Sequence, residues 1–119
     1  MSTCNVSTSS NYMQVIIGSS NYILQKNIEQ LYYVPYKLLI NKIRMQCNAE
    51  PQGANIKAEI YHENNLMCTI SIEKDKTISY DYIINRTIED TEKLKIKIIQ
   101  TGTIYPGRGL IIFFYMNQI

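Results

Sequence analysis

Tryptophan is missing from this chain of 119 residues, histidine occurs once, and there are only two phenylalanines and three cysteines. Each shortage removes a class of chemistry. A lone His62, with cysteines as far apart as Cys4, Cys47 and Cys68, leaves no ligand spacing for zinc. An odd set of distant cysteines makes no disulfide framework either. Two of them sit in apolar, strand-like contexts, which reads as buried free thiols in a reducing compartment. The segments HENN and IEDTE are too sparse in acids for a calcium loop. No metal and no cofactor is expected. Charge of one sign is also scarce: 12 Lys and Arg stand against 10 Asp and Glu, for a net +2. A nucleic-acid binder shows a stronger, clustered basic excess, so no nucleic-acid partner is expected. No apolar run approaches the roughly 20 residues that cross a bilayer. The beginning of the chain lacks the basic and apolar segments of a secretion signal. The NVS and NRT acceptor patterns at Asn5 and Asn85 therefore carry no glycosylation reading.

Glycine is scarce as well, and three of the five glycines fall in one stretch, TGTIYPGRG, residues 101–109. A phosphate loop would need a helix after the glycines, with its first amides facing the ligand. These glycines lead instead into LIIFFY, a β-branched and aromatic run that disfavours a helix. No Lys-Ser or Lys-Thr pair comes after them either. Pro106 and Gly107 are read as a turn, with Gly109 opening the last strand.

What the chain does contain is period-two alternation. In IKAEIYHENNLMCTISI, Ile56, Ala58 and Ile60 alternate with polar residues, and so do Cys68, Ile70 and Ile72. That predicts a hairpin closed by HENN. KLKIKIIQ sets Leu94, Ile96 and Ile98 against Lys93, Lys95 and Lys97. KLLINKIRMQC places Asn41, Ile43, Met45 and Cys47 on one face and Lys42, Arg44 and Gln46 on the other. YMQVII and TISYDYII predict two further short strands. NRTIEDTEK alone has helix-like content, enough for one turn. Seven to nine short strands without an amphipathic helix predict an all-β, antiparallel two-sheet jelly-roll sandwich. Residues 1–21 are expected to form a flexible N-terminal arm with a short strand, and residues 22–119 the jelly roll.

Catalysis has few candidates. His62 at a hairpin end is read as a solvated side chain. Glu59, Glu63, Asp81, Glu89 and Asp90 could supply an acid pair for sugar hydrolysis, but nothing places two of them together. No catalytic residue is assigned. Tyrosine is abundant, at ten. Tyr61, Tyr80, Tyr82 and Tyr105 lie near strand ends and loops, where an amphipathic ring can meet a glycan. The last strand, GLIIFFYM, is apolar on both faces. Leu110, Ile112, Phe114 and Met116 form one face; Ile111, Phe113 and Tyr115 form the other, and both need cover. The sequence leaves open which face meets the core; the second set is expected to be an oligomer interface.

The succession KLLINKIRMQC, IKAEIYHENNLMCTISI and EKLKIKIIQTGTIYPGRGLIIFFY resembles the small jelly-roll modules in virions of tailed bacteriophages. These recur in capsid fibres and decoration proteins and in receptor-binding tail tips. The resemblance implies a non-enzymatic homotrimer located in the virion and made in the host cytoplasm. It would contact capsid or tail proteins through the N-terminal arm and host-surface glycans through its own surface, with no membrane insertion. The alternative expectation is a carbohydrate-binding β-sandwich with no link to a virion.

Overall fold

A computed structural model describes residues 4–8, 12–19 and 21–118. Among the described residues nine strands run in chain order: β1 (Cys4–Thr8), β2 (Tyr12–Ile17), β3 (Glu29–Tyr33), β4 (Leu38–Gln46), β5 (Ile56–His62), β6 (Asn65–Ile72), β7 (Tyr82–Ile88), β8 (Lys93–Gln100) and β9 (Ile111–Gln118). One sheet has the order β1-β2-β9-β4-β7 and the other β3-β8-β5-β6. All pairings are antiparallel. From β2 onward, consecutive strands cross between the sheets except in the β5–β6 hairpin. That is the eight-stranded jelly roll, with β1 added at one edge.

The core is the set of inward alternations. Met13, Val15 and Ile17 of β2, Ile112, Phe114 and Met116 of β9, and Ile40, Ile43 and Met45 of β4 line one sheet. Ile56, Ala58 and Ile60 of β5, Ile70 and Ile72 of β6, and Leu94, Ile96 and Ile98 of β8 line the other. The predicted hairpin and the β8 alternation are both present.

Three expectations are corrected. The sandwich does not begin at residue 22: YMQVII forms β2, an inner strand of the five-stranded sheet, and Cys4–Thr8 pairs beside it. Residues 1–3, 9–11 and 20 of the expected arm lie outside the described residues. Asn41 does not share the face of Ile43. The register slips between Ile40 and Lys42, where Asn41 is one residue too many against β9. This bulge keeps Leu38 and Ile40 inside together with Ile43 and Met45, and turns Lys42 outward. Without it, strict alternation from Leu38 would carry Lys42 and Arg44 into the core. Finally, the strand expected at TISYDYII sits later, at Tyr82–Ile88. NRTI thus closes a strand instead of opening a helical turn, and residues 89–92 make the reversal, with the Glu92 N–H donating to the Glu89 carbonyl.

PGRG is a clamped crossing. The Gly109 N–H donates to the Tyr22 carbonyl and the Arg108 N–H to Ala49, so these amides are not free for a phosphate. Gly107 and Gly109 have φ of 108° and 69°, the left-handed region that favours glycine.

The inward ring of β9 decides the stability test. Phe114 is fully buried, so Phe114→Ala should cost about 3–5 kcal/mol. Phe113→Ala, on the outer face, should cost clearly less. Urea melts followed by circular dichroism separate the two.

Candidate functional site

Two surfaces gather side chains of functional character. The first is the outer face of the five-stranded sheet. Cross-strand register sets Tyr12 opposite Tyr115, and Phe113 between Gln14 and Arg44. Tyr12, Phe113 and Tyr115 form a ladder of rings with centroids 6.1–6.3 Å apart. The bulge in β4 brings two cations over it. Lys42 Nζ lies 4.4 Å from the Tyr115 ring centre, and the Arg44 guanidinium 5.3 Å from Tyr115 and 5.5 Å from Phe113. Arg44 also donates to the Tyr115 hydroxyl. Asp81 closes the group, 3.6 Å from Lys42 and 3.9 Å from Arg44. Ile111, Phe113 and Tyr115, the expected interface residues, are therefore together and half-buried, the last two under their own chain's cations.

The second surface is a trough on one long side of the sandwich. There β6, an edge strand of the smaller sheet, parts from the segment that leads into β7. Residues 77–79 run beside the end of β4: the Cys47 N–H donates to the Thr77 carbonyl and the Ser79 N–H to Met45. Two adjoining hollows of about 220 and 260 Å³ share Ser71, Glu73 and Tyr80. Lys76, Ile78 and Ser79 extend one; Asn55, Asp81 and Tyr82 extend the other. Tyr80 is 82% exposed.

The four tyrosines singled out from sequence do not form one site. Tyr80 and Tyr82 share the trough. Tyr61 lies on the outer face of the smaller sheet, with Lys95 Nζ 4.6 Å from its ring centre. Its hydroxyl donates to Glu59 at 2.8 Å, and that carboxylate holds the phenol above its ordinary pKa. Tyr105 is bridged to Gln52 in a loop and does not line the trough. Sequence reasoning misses Glu73, Asn55, Ser71 and Ser79, because only the fold brings loops 50–55 and 73–81 together. Lys42 and Arg44 are readable as outward residues of β4, but not as the cover of β9.

The histidine and the two described cysteines are held in structural settings. His62 Nε2 is 2.9 Å from Glu92 Oε1, tying the β5–β6 turn to the β7–β8 turn. Burial, and secondarily Glu50, pushes the Cys47 thiol up to about 11. Burial does the same to Cys68, to about 11, against a lowering by Arg86. Of the acids weighed for hydrolysis, Asp81 alone lines the trough, and it is paired with two cations. Among the described residues no three of His, Cys, Asp and Glu group for a metal, and no helix is long and apolar enough to cross a membrane.

Both kinds of group can be tested in solution. Cys47 and Cys68 should stay largely unreactive toward a thiol reagent near neutral pH until the protein is denatured. Glu92 is held below its usual 4.5, first by the His62 hydrogen bond and then by the Glu89 N–H. A carboxyl depressed by folding stabilises above its unfolded value, and that contribution is lost as pH falls through the lower folded one. Glu92→Gln should thus melt below wild type above pH 4.5, with the gap closing in more acid solution.

No family model matches this chain, and no curated protein matches it. Among solved structures, the chain is similar to the core of Drosophila NLP, a structure described in terms of pentamer formation and histone binding. The identity is 11%, the match covers 91% of this chain and 95% of that one, and the TM-score is 0.54. A cycloisomaltooligosaccharide glucanotransferase of Paenibacillus sp. matches at 10% identity over 98% of this chain but 16% of its own length, with a TM-score of 0.34. At these identities the NLP likeness speaks to the fold alone.

Proposed function

We propose that this chain is a non-catalytic jelly-roll building block that joins copies of itself through the outer face of the five-stranded sheet. The observation that carries the reading is the Tyr12–Phe113–Tyr115 ladder with Lys42 and Arg44 laid over it. Tyr, Phe and Arg are the residue types that interfaces favour. Full burial of a large apolar side chain contributes about 1.5–3 kcal/mol. The three expected contact residues are already half-buried, so each has only part of that left to gain. Aromatic and cationic side chains locked to one another also lose little freedom on docking. The thiols held in their neutral form and the His62–Glu92 pair favour a structural role over a nucleophilic one.

A closed ring of three is the expected assembly, and the setting is the surface of a tailed-phage virion, on head or tail. The sequence resemblance to small virion jelly rolls supports that setting. The NLP core offers a parallel, since a jelly roll of similar extent serves there in a pentamer. Histone binding is not carried over, because this chain has a net charge of +2 and would repel a basic partner.

Light scattering on wild type should give three times 13.8 kDa. Phe113→Asp should give a folded monomer with an unchanged β spectrum. A wild type that runs as a monomer at micromolar concentration overturns the reading.

A further inference from the structure

We infer that the trough between β6 and the segment leading into β7 is a binding site for a neutral saccharide, with Tyr80 as its stacking platform. This goes beyond the assembly reading and does not depend on it. Sugar rings have one face of C–H bonds and a rim of hydroxyls. A site for them therefore needs an exposed aromatic face beside a concave wall carrying a few fixed polar groups.

The trough has both. Tyr80 stands out on the rim next to the two hollows. Its exposure is not that of a loose loop. Ser79, buried beneath it, accepts the Met45 N–H at 2.8 Å and donates to the Tyr80 carbonyl at 2.9 Å. The platform's backbone is thus fixed to β4 before any ligand arrives, which lowers the ordering cost of binding. Glu73, Ser71 and Asn55 line the same hollow and supply acceptors and donors there. Asn55 is itself fixed, because its side-chain oxygen accepts the Lys74 N–H at 2.8 Å. Its amide N–H groups have no role in that bond.

Charge selects the ligand class. Lys76 stands with Glu73 in one hollow, and Asp81 in the other is paired with Lys42 and Arg44. The trough carries charge of both signs, Glu73 and Lys76, and favours neither an anionic nor a cationic ligand, whereas an uncharged polyol needs no counter-charge.

The test is an NMR titration of isotope-labelled full chain with methyl β-galactoside, methyl β-glucoside, methyl α-mannoside and N-acetylglucosamine, each to millimolar excess. At least one should shift the amides of Ser71, Glu73, Ser79, Tyr80 and Tyr82. Tyr80→Ala should weaken that binding about tenfold or more, and Tyr80→Phe should largely keep it, with unchanged melting in both. The inference is overturned by any of four results: no shift with any of these sugars, shifts centred elsewhere, binding that survives Tyr80→Ala, or tighter binding of N-acetylneuraminic acid. Light scattering on the wild type with and without the sugar separates this outcome from the fate of the assembly reading, because sugar binding can be read whatever the oligomeric state.

Discussion

The pairing of β9 on both of its edges is the constraint on which the larger sheet depends. β2 holds one side from Tyr12 to Ile16, and β4 the other from Leu38 to Gln46. A strand in that position is flanked on both sides and exposed on neither edge, so its two faces alone decide what it touches. Phe114 and its neighbours fill the core. Phe113 and its neighbours must be covered by something other than the second sheet, because a two-layer sandwich has only one interior. The apolar character of GLIIFFYM on both faces is thus answered twice, by packing inside and by cations outside.

The outer cover exists because of the bulge at Asn41. That one extra residue reverses the parity of β4 and sends Lys42 and Arg44 to the side where the rings lie. Local irregularity and surface chemistry are therefore one feature. The charged heads of both cations lie over the aromatic rings while Asp81 balances them from the side.

Much of this was legible in the sequence. The β5–β6 hairpin and β8 keep strict alternation over a whole strand, so their inward residues could be named one by one. The apolar doubling of β9 was also visible, though not which face was the core. Legibility failed where period two breaks. The slip at Asn41 is invisible when LLINKIRMQC is read as one ladder. TISYDYII reads as a strand too early because residues 77–81 run beside β4 through a few isolated bonds, Ser79 to Met45 among them, before regular pairing begins. The candidate tyrosines scattered for a different reason: sequence shows that they sit at strand ends, but the jelly-roll crossings decide which ends come together. Tyr80 and Tyr82 converge with Glu73 and Asn55, while Tyr61 and Tyr105 go elsewhere.

The place of β9 also sets an order of events. Its partners β2 and β4 come early in the chain and β9 comes last of the nine strands, so Tyr12 must wait for Tyr115. During synthesis β2 and β4 leave the ribosome with no strand between them. The inner rows Met13–Val15–Ile17 and Ile40–Ile43–Met45 then stay partly unroofed until the ninth strand arrives. The smaller sheet is freer of this delay, since its β5–β6 hairpin closes locally. Topologies dominated by such distant pairings fold slowly and leave sticky intermediates. The larger sheet therefore closes late, once β9 is available to both β2 and β4.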